Sequence, residues 1–142
     1  MANLEHETWD LIWDESLSVG IPAIDIEHRH FIDAVNVLSR LMPGRQKSDE
    51  IRKLMKWIIL DWDLHSKHEE ELFREWQYPA LDEHVKIHDE ITRQLHELGN
   101  ALDRNESDDE LRVTGYRLRM TLVAHLVNDD MKYRDFFLSI KN

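Results

Sequence analysis

Residues 51–76 read IRKLMKWIILDWDLHSKHEEELFREW. Ile51, Leu54, Met55, Ile58, Trp62, Leu72, Phe73 and Trp76 recur at spacings of three and four, which makes one face of an α-helix. Two residues on the same stripe do not belong in a core: His65 and Glu69. They lie four apart, so on a helix they differ by about 40° of rotation and about 6 Å of rise. A glutamate buried in such a stripe is costly unless it is paired or coordinated. The stretch therefore sets an amphipathic helix and demands a partner for its polar pair.

The pattern extends outward in both directions. Ser48 is placed to cap this helix, with Asp49 and Glu50 in the positive first turn, and the helix is expected to end near Gln77, before Pro79. Upstream, Ile24, His28, Phe31, Ile32, Val35, Leu38 and Met42 form a stripe over about 24–42, stopped by Pro43-Gly44. Downstream, a third helix is expected over about 82–102, with His84, Ile87, His88, Ile91, Leu95, Leu98 and Leu102 on one face. A fourth follows the polar stretch 103–108 and carries Leu111, Leu118, Leu122, His125, Leu126, Tyr133, Phe137 and Ile140. Four amphipathic helices with short links favour an all-α, antiparallel up-down four-helix bundle over residues 24–142. Residues 1–23 read as an irregular arm that Gly20 and Pro22 keep from being helical. Trp9, Ile12, Trp13, Leu17 and Ile21 are its expected anchors on the bundle, and the whole of 1–142 reads as one domain.

Composition narrows the chemistry. The 142 residues contain no cysteine, which excludes thiolate metal sites and cysteine nucleophiles and fits a reducing cytoplasm. A formal net charge of -11 repels nucleic acid and anionic lipid, so neither is an expected partner. No apolar run approaches the roughly 20 residues needed to span a bilayer.

Nine histidines are present, and their positions matter more than their number. Each helix stripe holds at least one: His28, His65, His84 with His88, and His125, the last followed by Asp129 and Asp130. A lone histidine on an apolar face is usually a hydrogen-bonded core residue. Five of them converging with one or two carboxylates would crowd and destabilise an empty core. A metal supplies the missing partner, since neutral imidazoles and carboxylates are ligands for divalent ions. Seven donors exceed what one ion takes and suit two ions sharing a site, but spacing alone does not separate zinc, manganese and iron. His6, His30, His68 and His96 read as solvated or locally bonded, and the run Glu69-Glu70-Glu71 as mostly a solvated face apart from Glu69. Trp57, Trp62 and Trp76 read as core or rim.

Four segments resemble the bacterial hemerythrins in order and separation. They are 13–21 with Ile24, Asp25 and His28; His65 with Glu69; Tyr78-Pro79 with His84 and His88; and 125–130 with Tyr133. The resemblance implies a pair of oxo- or hydroxo-bridged iron ions. His84, His88 and His125 would hold one, and His28 and His65 the other, with an open position for O2. Glu69 and Asp130 would bridge them. Because His125 and Asp130 are five apart, an ideal helix would splay them by about 140°, so the assignment needs a π-like widening there. Asp129 suits ideal geometry better. Phe31, Leu122 and Leu126 are expected as walls of the O2 pocket. Ser66 and Thr121 stand where relatives often carry aromatic residues, which predicts a more open or more polar pocket than usual. The implied function is reversible O2 storage, delivery or buffering without enzymatic turnover. An O2- or redox-sensing module acting through a protein partner, and a peroxidase or NO-scavenging activity, stand as alternatives.

Overall fold

The computed structural model describes residues 11–41, 48–104 and 107–141. Helix α1 spans Pro22–Leu41, α2 Ser48–Trp76, α3 Leu81–Asp103 and α4 Asp108–Ala124. A five-residue π-helical turn, His125–Asp129, then leads directly into α5, Asp130–Lys141, so that α4, the turn and α5 form the fourth rod of the bundle. Consecutive helices pack on one another, α1 on α2, α2 on α3 and α3 on α4, as an up-down bundle requires. Among the described residues no helix is long and apolar enough to cross a membrane.

Local chemistry explains the boundaries. The first helix begins two residues earlier than expected, because Pro22 opens it rather than blocking it. A proline's fixed φ suits the first helical turn, where its missing N–H costs nothing. Helix α2 stops at Trp76 in a Schellman turn. Gln77 adopts a left-handed φ of 56°, its N–H reaches Arg74 O at 3.2 Å, and Tyr78 N–H reaches Phe73 O at 2.8 Å. Ser107 caps α4, its hydroxyl accepting from Glu110 N–H at 3.2 Å.

Two apolar clusters fill the bundle. The larger draws Val35 and Leu38 from α1, Met55, Ile58 and Trp62 from α2, Ile91, Leu95 and Leu98 from α3, and Leu118 and Leu122 from α4. Each such side chain contributes about 1.5–3 kcal/mol when fully buried. The smaller joins Val19, Ile24, Phe73, Tyr78 and Tyr133. Met42, Pro43 and Gly44 lie outside the described residues, as do His6 and Trp9.

The arm holds on differently from expectation. Ile12 is 84 % exposed, and Leu11 is the residue that joins the larger cluster instead. A single 3-10 turn, Glu15–Leu17, is capped by Asp14, and the buried Asp25 carboxylate then accepts from Ser18 Oγ at 2.6 Å and Val19 N–H at 2.9 Å. Gly20, at φ +77°, turns the chain into α1. One stripe residue, Ile140, and one residue read as core or rim, Trp57, lie further out than expected. Ile140 is 48 % exposed near the end of α5, and Trp57 is 63 % exposed, whereas Trp62 is core.

Candidate metal centre

Seven polar side chains meet between the two apolar clusters: His28, His65, Glu69, His84, His88, His125 and Asp130, all buried. Trp62 packs against His65, His88 and His125 from one side, and Phe73 and Tyr133 against His84 from the other. These are the seven residues singled out in the sequence, and the fold brings all of them together.

Their spacing separates into two overlapping groups. Donor atoms of Glu69, His84, His88 and His125 lie within 4.8 Å of one another, and so do those of His28, His65 and Glu69. Glu69 belongs to both. Its Oε1 lies 2.9 Å from His88 Nε2 and 3.2 Å from His65 Nε2, and its Oε2 lies 3.5 Å from His28 Nε2. Asp130 also touches both groups, at 3.4 Å from His28, 3.3 Å from His84 and 3.1 Å from His125. Glu69 and Asp130 thus each reach histidines of both groups.

Most of these atoms are close without hydrogen-bonding one another. Glu69 Oε1, both Asp130 carboxylate oxygens, and Nε2 of His84, His88 and His125 are buried with no hydrogen-bond partner. Nε2 of His28 and His65 face each other at 3.2 Å. An unpartnered buried polar atom costs about 1–3 kcal/mol, and a buried charge more. The donor set is therefore strained as a bare core and fits divalent cations, which the aimed imidazoles and carboxylates would hold.

The backs of three rings are gripped instead, while His28 Nδ1 is buried without a hydrogen-bond partner. Glu27 lies 2.9 Å from His65 Nδ1, Glu70 3.0 Å from His88 Nδ1, and Asp129 3.4 Å from His125 Nδ1. A carboxylate at Nδ1 fixes the tautomer that leaves Nε2 free as a donor to metal, and strengthens it. Glu27 also meets His68 Nδ1 at 2.6 Å. Tyr133 donates its hydroxyl to Glu69 Oε2 at 2.5 Å and so fixes the carboxylate rotamer.

Electrostatics follow from this packing. Burial opposes protonation of His65, but the Glu69 charge and bonds to Glu27 and Glu69 outweigh it, raising its pKa to about 10. His84 rises to about 9 against its own burial, through Asp130 and Glu69. Burial alone would raise Glu69; the charge of His65 and contacts with His28 and His84 hold it well below the usual range instead. Burial and neighbouring carboxylates push Tyr133 well above 10, so it remains a donor.

The π turn places Asp129 and Asp130 on different sides of His125. Asp130 N–H bonds His125 O, five residues back, and this widening swings Asp130 onto the face of His125. Asp130 stands at His125 Nε2, while Asp129 is left behind the ring at Nδ1.

Beside the centre lies a cavity of about 10 Å³ lined by His28, His65, His125, Phe31, Ile32, Trp62, Leu122, Leu126 and Leu11. The three expected wall residues are all present. Ser66 and Thr121, expected to shape it, are not among its lining residues. Ser66 Oγ donates to Trp62 O at 2.8 Å on its own helix, Thr121 Oγ1 donates to Arg117 O at 3.1 Å, and neither reaches the cavity.

The hemerythrin HHE cation binding domain matches residues 19–136. The chain belongs to the hemerythrin family. The bacteriohemerythrin of Stenotrophomonas maltophilia is 29% identical over 126 residues, covering 88% of this chain and 80% of that protein. That of Pseudomonas aeruginosa PAO1 is 29% identical over 127 residues, with the same shares. The myohemerythrin of Theromyzon tessulatum is 27% identical over 122 residues, covering 86% of this chain and 89% of that protein. In this hemerythrin fold the sequence reading gave Glu27 no role and took Glu70 for a solvated charge. Glu70 is only 17 % exposed and belongs to His88 on the neighbouring helix. No signal within one helix marks such a partner.

Proposed function

We propose that this chain binds O2 reversibly at a pair of iron ions in the bundle core. His84, His88 and His125 would hold one ion and His28 and His65 the other, with Glu69 and Asp130 shared. The observation that carries the reading is the pair of donor groups joined through Glu69, with most of their front atoms unpartnered, beside a small apolar cavity. When bound, iron supplies the reversible exchange of electron density that O2 capture needs. The protein's own residues do the rest. Glu27, Glu70 and Asp129 hold the imidazoles of His65, His88 and His125 aimed, and Tyr133 holds Glu69. Phe31, Ile32, Trp62, Leu122 and Leu126 give O2 an apolar pocket and keep bulk water away.

A binder fits better than an enzyme. A cavity of about 10 Å³ has room for roughly one water-sized molecule. Apart from its three imidazoles, its lining offers no proton-transfer group. The absence of cysteine supports a reducing cytoplasm as its setting. Anaerobic loading with ferrous iron followed by O2 should raise a visible charge-transfer band that fades when O2 is withdrawn and returns on readmission. A band that never fades, or steady consumption of peroxide or NO, would refute carriage.

A further inference from the structure

We propose that Asn36 is a positioning residue that holds Leu11 as the movable outer wall of the gas pocket, so that this clamp sets how fast small ligands reach the centre. The inference rests on the reading of the cavity as a ligand pocket and adds the control of access to it.

Eight of the nine residues lining the cavity belong to α1, α2, α4 or the π turn. Their positions are fixed by the bundle. Leu11 alone comes from the arm. It is 7 % exposed, while Ile12 beside it is 84 % exposed. Leu11 is thus buried against the cavity while its chain neighbour faces solvent, the position of an outer wall. An irregular segment has few hydrogen bonds of its own, so whatever ties Leu11 down decides how often that wall is in place.

The tie is Asn36, half-buried on α1. Its Oδ1 accepts from Leu11 N–H at 2.7 Å, and its Nδ2 donates to Leu11 O at 2.7 Å. One side-chain amide thus satisfies both backbone groups of a single residue, as a neighbouring strand would. The other anchors of the arm are separate. Arg29 stacks over Trp13 at 4.9 Å, and Asp25 holds Ser18 and Val19. Loss of the Asn36 clamp would free Leu11 while the rest of the arm stays docked.

Two variants of the full, iron-loaded chain test this. Azide serves as a small-ligand probe of the ferric protein by stopped flow, and amide exchange at Leu11 is followed by mass spectrometry. Asn36→Ala should abolish protection of the Leu11 amide and speed azide binding about tenfold, the shift in open population that losing two ordinary hydrogen bonds supports. Leu11→Ala keeps both hydrogen bonds. It should speed azide binding with the amide still protected, which separates the wall from its clamp even if Asn36→Ala folds poorly. Unchanged azide rates in both variants, with O2 binding still reversible, would overturn this inference and leave the carrier reading standing. Faster azide binding in both, with irreversible reaction toward O2, would support the wall and overturn the carrier reading. A wild-type chain that takes up no iron would overturn both.

Discussion

Asp130 stands five residues after His125, a spacing that an ordinary α-helix splays by about 140°. The π turn brings its carboxylate to His125 Nε2, at 3.1 Å, and leaves Asp129 at Nδ1. Neighbouring aspartates thus have opposite duties, one facing the centre and one orienting a ring. Asp130→Asn is expected to cost the second metal ion, because it removes a carboxylate that touches histidines of both groups. Asp129→Asn should keep both ions and weaken binding about 10–100-fold, as loss of a ring-orienting partner does. Iron titration with each variant checks this; equal losses would mean that the turn does not discriminate between the two. At this scale the seven cluster residues were legible because histidine and glutamate on apolar stripes have no comfortable structural role. Glu27 and Glu70 were not, because each is bonded to a ring on a different helix and looks like surface charge within its own.

Helix boundaries follow from a few residues each. Pro22 starts α1, Ser107 caps α4, and Gln77 closes α2 in the left-handed region. A side chain in that region costs about 1–2 kcal/mol relative to glycine. Gln77 is exposed, so Gln77→Gly is expected to stabilise the protein by about 1 kcal/mol in denaturant unfolding. No change or a loss would show that the Gln77 side chain contributes something the turn geometry does not. The helices themselves were readable because a period of 3.6 repeats over many residues. The arm was not. It has no period, so nothing in the sequence separates Leu11, which packs, from Ile12, which does not. Ile140 continues the stripe of the fourth rod but reaches past the core, where periodicity persists without a partner.

The molecule as a whole holds a buried cluster whose charge balance is set by protons or by metal. His65 and His84 are raised to about 10 and about 9, above the ordinary value of about 6.5 that they would have unfolded. Their contribution to metal-free stability is therefore fully present below about pH 6.5 and is lost as pH rises through about 9–10. Glu69 is lowered, so its contribution is present above about pH 4.5 and lost as pH falls toward its depressed value. Metal-free protein should weaken on the alkaline side in urea unfolding, and iron-loaded protein should not. Loading at neutral pH should also release about two protons per chain, because metal takes neutral imidazole. Flat alkaline stability together with loading that releases no protons would contradict the paired cluster of imidazoles and carboxylates. The bundle and its centre were foreseeable from the order and spacing of the histidines. The walls Phe31, Leu122 and Leu126 were legible too, but that the Ser66 and Thr121 hydroxyls bond to their own helices was not, because a sequence does not show where a hydroxyl points.

The claim on which all of this depends is that two cations share Glu69 and Asp130 in the core. Anomalous diffraction at the iron edge from crystals grown after ferrous loading measures it directly. Two peaks should lie within the cluster, one beside His84, His88 and His125 and one beside His28 and His65. A single peak, or none among these side chains, would contradict it.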